Sequence, residues 1–294
     1  MTGEAAALVS AAFWALATVS VKGVTGRLSA SFIMAVRTAI AAVQANAFIL
    51  IVSPGDANLD MPVLTIAVLL TSALLPLAGD VAFVRALAVE DLSRVFTIST
   101  SLYILLSVAG SVLFFGEPFS WFLVAGGAAV LLGSRLVLNE SQAEAEAAVQ
   151  AVRRRQPVFG LQLSIVTALF WSTGLLAVSE ALDSVEPLTA TLLRLPFMAL
   201  TLLAFVGVRG DLSLKGRSKD DVGTLAVSAV LVLGSTLLFL LSAKNASAGT
   251  VAVLTSTSPI FAVPLAVFFL KEQVTPRVIG GTAVCMAGIW LTFA

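Results

Sequence analysis

The 294-residue sequence contains no histidine and one cysteine, and only 12% of its side chains are charged. The missing histidine removes the commonest metal ligand and the commonest general base. The lone Cys285 excludes an intramolecular disulfide and a cysteine-based metal site. No phosphate-binding loop, metal-ligand spacing or nucleophilic triad appears. Catalytic residues, metal ligands and cofactors are therefore expected to be none, and the chain has no visible means of hydrolysing ATP. A net charge of zero points to no particular partner. Three adjacent arginines beside an apolar block make nucleic-acid binding a poor explanation of the chain.

What is present is apolar. Hydrophobic residues make up 59% of the sequence, and mean hydropathy is +1.03. A soluble domain of this size needs far more polar surface. The apolar residues arrive in blocks of roughly 20, the length that crosses a hydrocarbon core. Ten such blocks are read: Ala5–Val24, Ser31–Val52, Pro62–Leu87, Ser93–Phe115, Trp121–Leu138, Val158–Glu180, Pro187–Val208, Val222–Lys244, Gly249–Leu270 and Pro276–Phe293. Helices satisfy their own backbone groups in lipid, so the expected fold class is an all-α integral membrane bundle. The first block is too long, and too poor in basic flanking residues, for a secretory signal.

The blocks repeat. Phe13-Trp14 recurs as Phe170-Trp171, and Arg37 as Arg194, at one common separation. Thr100-Ser101, Phe114 and Glu117 match Thr255-Ser256, Phe269 and Glu272; Gly126 and Gly133 match Gly281 and Gly288. A series in the same order through both halves is a duplicated five-helix unit. Residues 1–138 form the first repeat, 139–157 a polar cytoplasmic linker expected to be helical, and 158–294 the second repeat. Five is odd, so the second unit enters the membrane inverted. Charge agrees. Of the 17 lysines and arginines, all but Lys244 and the intramembrane Arg37 and Arg194 lie at loops 1–2, 3–4, 5–6, 7–8 and 9–10. Cations favour the cytoplasmic side, so those loops are expected inside and both termini outside, the pattern of an inverted repeat. The run Arg153–Arg155 could touch anionic headgroups.

Two stretches resemble a known family. Ala243 to Thr275, with Ser247-Ala248 entering a span, Ser256 through Phe261 within it and Leu270-Lys271-Glu272 closing it, resembles the EamA repeat of the drug/metabolite transporter superfamily. Leu92 to Phe119, closing with Phe115-Gly116-Glu117-Pro118, looks like its first-half copy. Within that superfamily the chain is most similar to bacterial amino-acid exporters of the aromatic (YddG-like) type. The resemblance implies ten helices in two inverted repeats, with a central cavity lined mainly by helices 1, 3, 4, 6, 8 and 9. Ile104 stands where the second half has Pro259, so the two halves are expected to bend differently.

Candidate substrate-binding residues follow, each with its structural alternative. Trp14 and Trp171 are either opposed cavity walls or interfacial aromatics. Ser99, Thr100, Ser101 and Tyr103, with Thr255 and Ser256, are either a polar cavity wall or hydroxyl glue bonded to the preceding turn. Asp80 is an intramembrane carboxylate, functional by default, or else the partner of Arg37. Lys244 either meets a substrate carboxylate or complements its own helix terminus. Gly110, Pro259 and Pro264 are candidate hinges. The expected activity is export of neutral and aromatic amino acids and related metabolites across the bacterial inner membrane, by alternating access and without an enzymatic step. The side-chain types favour selection by size and polarity over a dedicated charge. A permease of the same fold with another substrate or direction is the near alternative, and a membrane-embedded enzyme the distant one. The expected partners are a small-molecule substrate and the lipid bilayer; a monomer suffices.

Overall fold

The computed structural model describes residues 1–21, 24, 28–52, 61–89, 92–149, 157–208, 218–258, 260, 261, 265 and 276–291. Ten helices account for the regular structure among them: α1 Gly3–Val21, α2 Ala30–Val52, α3 Val63–Val89, α4 Leu92–Phe115, α5 Trp121–Val149, α6 Pro157–Leu182, α7 Pro187–Val208, α8 Lys219–Asn245, α9 Ala248–Thr255 and α10 Pro276–Leu291. They fall on the ten apolar blocks. α5 continues past its apolar part as far as Val149, so the first half of the linker is helical. Seven helices (α1–α4 and α6–α8) are long and apolar enough to cross a membrane, and α5 and α10 carry shorter apolar stretches, Trp121–Gly133 and Ile279–Leu291.

Local chemistry sets the ends. Ser218 caps α8 by accepting the Asp220 N–H at 3.2 Å, and Ser247 caps α9 by accepting the Thr250 N–H at 3.1 Å. Each satisfies one of the donors that a first turn leaves open. After α4 the chain reverses through Gly116, whose φ of +65° suits a residue without a Cβ.

The helices pair across the two halves. α1 packs on α8 and α3 on α6; α2 packs on α7, α5 on α10, and α4 on both α6 and α9. Exchanging α1–α5 with α6–α10 carries the first two pairs into one another and returns α2–α7, α5–α10 and α4–α9 to themselves. Large apolar side chains such as Val63, Leu113, Phe114, Trp121, Val208 and Trp290 point outward. A surface of that kind suits hydrocarbon and would aggregate in water.

Burial gains little free energy between helices that already sit in lipid, so close approach and hydrogen bonds hold the pairs together. The matched glycines show the first: a Cβ on Gly133 would collide with the Gly281 carbonyl, and one on Gly288 would lie 2.7 Å from the Gly126 carbonyl. Serines show the second. The Ser10 hydroxyl donates to the Ser235 carbonyl at 2.9 Å, and the Ser235 hydroxyl returns to the Ser10 carbonyl at 3.0 Å, tying α1 to α8. Gly133→Val should therefore force α5 from α10 and destabilise the protein by about 1–3 kcal/mol, the usual cost of overpacking. Thermal unfolding read by a thiol-reactive dye at the buried Cys285 measures this. An unchanged midpoint would show that the contact is not tight.

Candidate functional site

Between the helices lies a cavity of about 520 Å³, within the range of small-molecule sites. Eight of the ten helices line it. α1 gives Ser10 and Trp14, α3 gives Pro76, Asp80 and Phe83, and α4 gives Thr100 and Tyr103. α6 gives Trp171, α8 gives Ser235, Thr236 and Phe239, and α9 gives Thr255 and Ser256. α2 and α7 contribute as well, through Arg37 and Arg194 with Met34 and Met198. The expected set of six lining helices omitted these two, and with them both cavity arginines. Among the described lining residues the charged groups are thus two guanidiniums and one carboxylate, which overturns the expectation of a wall without dedicated charge.

The charged groups are tied to aromatics. Arg37, nearly buried, lies with its guanidinium 5.4 Å from the centre of the Trp14 ring, a cation–π distance. Asp80 stands within electrostatic reach of Arg37 and accepts the Trp171 indole N–H at 2.9 Å. Trp171 itself packs against Phe83 at 5.3 Å and edge-on to Tyr103 at 6.2 Å. Trp14, Arg37, Asp80 and Trp171 form one chain across α1, α2, α3 and α6. Gly79 makes the approach possible: a Cβ there would lie 2.7 Å from the Trp171 ring.

Arg194 is held differently. Pro76 interrupts α3. Its ring nitrogen has no hydrogen to give the carbonyl four residues back, that of Ser72, and Arg194 Nη2 donates to that carbonyl at 3.0 Å. The Nε of Arg194 has no hydrogen-bond partner among the described residues. The sequence carried half of this signal, since a proline inside an apolar block marks an orphaned carbonyl; which donor meets it depends on the packing of α3 on α7. Pro76→Ala would restore the α3 ladder and take away the anchor of Arg194. Flux of a transported substrate should drop about tenfold, for loss of a charged hydrogen bond worth roughly 1.5–3 kcal/mol, while the α3 helix itself gains stability. Undiminished flux would show that Arg194 needs no such anchor.

On α9 the hydroxyls of Thr255 and Ser256 donate to the carbonyls of Val251 and Ala252, at 2.7 and 2.6 Å. Their protons are engaged by the preceding turn, so these oxygens meet the cavity as acceptors. The Tyr103 hydroxyl is within hydrogen-bonding reach of Thr255. Seven of the ten candidate binding residues thus lie at the cavity: Trp14, Trp171, Asp80, Thr100, Tyr103, Thr255 and Ser256. Ser99, Ser101 and Lys244 are not among the described lining residues. Ser99 is wholly buried in the bundle. Lys244 reaches Glu186 at 2.7 Å and the Val185 carbonyl at 3.4 Å, bracing the C-terminus of α8 against the start of α7.

Of the candidate hinges, Pro259 and Pro264 lie outside the described residues. Gly110 sits inside the unbroken α4, where a Cβ would collide with Leu176 of α6; close packing is reason enough for that glycine. α4 also runs on through Ile104, whereas α9 ends at Thr255, four residues before Pro259. The halves do differ at this point.

A sequence model of the EamA-like transporter family matches residues 1–139 and 158–294. Over 132 residues, 45% of this chain, the sequence is 28% identical to an uncharacterized transporter of Archaeoglobus fulgidus. That match spans about half of the curated relative, 46% of its length. A protein of known crystal structure superimposes with a TM-score of 0.79 over 98% of this chain and 96% of its own, at 16% identity, a likeness of fold.

Proposed function

Because the chain belongs to the EamA-like transporter family, we propose that its cavity carries neutral and aromatic amino acids, with related metabolites, outward across the bacterial inner membrane by alternating access. The observation that carries this reading is the cavity's mixture of groups. About 520 Å³ of space combines aromatic walls, two guanidiniums, one carboxylate and hydroxyl acceptors. A zwitterion with a variable apolar side chain needs all of these at once: charge of both signs at one end and an apolar surface at the other. An apolar pocket separates side chains differing by one methylene by only about 1–3 kcal/mol, so several amino acids should share the site.

In this reading residues 1–138 and 158–294 are inverted repeats joined by the 139–157 linker, and they rock about the cavity. The helix pairing, which maps onto itself when the halves are exchanged, supports that arrangement. Bending of α4 at Gly110 and of the chain after α9 at Pro259 and Pro264 would open the cavity to one side and then the other. Both termini lie outside and the linker inside.

Flux of a panel of amino acids into and out of proteoliposomes containing the purified protein tests the reading. Saturable, mutually competitive flux of several neutral amino acids is the expected result. If no amino acid moves and another class of metabolite does, the protein is a permease of this fold with a different substrate.

A further inference from the structure

We infer that Arg194 is the carboxylate-binding group of the cavity, whereas Arg37 and Asp80 form a neutral frame beside it; the inference rests on reading the cavity as the substrate site. It comes from an asymmetry between two halves that otherwise correspond. Arg37 of α2 and Arg194 of α7 are repeat-related, and both line the cavity. The separation that matches Thr100-Ser101 with Thr255-Ser256 also matches Gly79-Asp80 of α3 with Gly234-Ser235 of α8. The structure supports that match: Gly79 is pressed against Trp171 of α6, and Gly234 against Phe13 of α1. Where the first half has a carboxylate, the second has a hydroxyl, already donated to the Ser10 carbonyl at 3.0 Å.

The consequence falls on Arg194. Arg37 has Asp80 as its counter-charge. Arg194 is equally buried, at 5% exposure, and its one printed bond is to a neutral acceptor, the Ser72 carbonyl. Its Nε has no partner among the described residues. Guanidinium stays charged and offers donors in a planar fork. A buried cation of this kind is stabilised by an anion that can accept from the fork side by side, and a carboxylate has that shape. A single uncompensated positive charge matches a carboxylate better than a phosphate dianion. The substrate's carboxylate therefore docks at Arg194, and its ammonium is left for Asp80 and the α9 hydroxyl oxygens.

A matched series differing only in its charged groups tests this: phenylalanine, 3-phenylpropanoate, phenethylamine and phenylalanine amide. Binding to the full chain in nanodiscs is measured by titration calorimetry. The two carboxylates should bind roughly 10- to 100-fold more tightly than the two compounds without one, the span expected for a charge-assisted pair. Arg194→Gln should close that gap and leave phenethylamine affinity within about twofold, which also certifies the fold; Arg194→Lys should keep part of the gap. Equal affinities across the series, no binding of 3-phenylpropanoate, or a gap that survives in Arg194→Gln would overturn the assignment. If Arg194→Gln does not fold, the series on the unsubstituted chain decides alone. Carboxylate binding without flux of any amino acid would remove the proposed transport substrate and leave Arg194 assigned. Amino-acid flux inhibited equally by phenethylamine and 3-phenylpropanoate would do the reverse.

Discussion

Asp80→Asn is expected to lower the stability of the protein by about 3–5 kcal/mol, the range for breaking a buried charge pair from one side, and to abolish flux. The substitution keeps an oxygen that can still accept from the Trp171 indole, a contact of 2.9 Å, so the lost quantity is charge. Arg37, 8% exposed and lying over Trp14, then has no counter-ion in the bundle. The buried Cys285 provides the readout, since it reacts with a thiol dye only as the structure opens. The double variant Arg37→Gln, Asp80→Asn removes both charges and should recover most of the lost stability. Its flux separates two roles for Asp80. If the carboxylate does nothing but balance Arg37, flux returns along with stability. If it also holds the substrate's ammonium, the double variant is stable and inactive, and the second outcome is the one expected. An Asp80→Asn protein as stable as the original would show that no buried pair exists.

Trp171→Ala carries the second large effect. The indole fills the space between Phe83 and Tyr103, 5.3 and 6.2 Å away, and the backbone at Gly79 fits against it. Its removal leaves a cavity beside the site and an Asp80 oxygen short of a donor. Truncations of this size cost about 3–5 kcal/mol, and the substrate would lose its aromatic wall as well. Trp171→Phe separates the contributions. It keeps most of the ring contact and removes the N–H, so it should cost about 1–3 kcal/mol for the stranded acceptor, with flux reduced and not lost. Trp14→Ala should be milder than Trp171→Ala, because 45% of Trp14 is exposed. If Trp14→Ala and Trp171→Ala are equally stable and both transport at the original rate, the aromatic-wall account fails.

Much of the candidate site was legible before the fold was seen, and the reason is duplication. Trp14 with Trp171, and Thr100 with Thr255, stand out because each has a counterpart at matching depth, and all four reach the cavity. Arg37 and Arg194 were equally visible as a matched pair. Their role was missed because α2 and α7 were expected at the periphery, away from the cavity. Ser99 and Ser101 neighbour Thr100 in sequence but are not among the described lining residues, since successive residues on a helix face different sides. Lys244 drew notice as a lone outward cation, and its partner Glu186 lies 58 residues away in sequence, at the start of the preceding helix.

The sequence by itself determined the class of structure. Ten long apolar blocks in lipid have to close their own backbone hydrogen bonds, so they must be helices, and the ordered matches between halves set the repeat. Only the tertiary structure decided which side of each helix turns inward. The spans are apolar on all sides, with no polar stripe to mark a buried face, because lipid accepts the same side chains as the core. Rotation about each helix axis was therefore set by contacts between helices: Gly79 under Trp171, Gly133 on the Gly281 carbonyl, and the Ser72 carbonyl, left without a helical donor by Pro76, meeting Arg194 from α7. Those contacts join residues of different helices, and they turned two arginines, visible in the sequence only as a repeat, into the cationic part of a cavity.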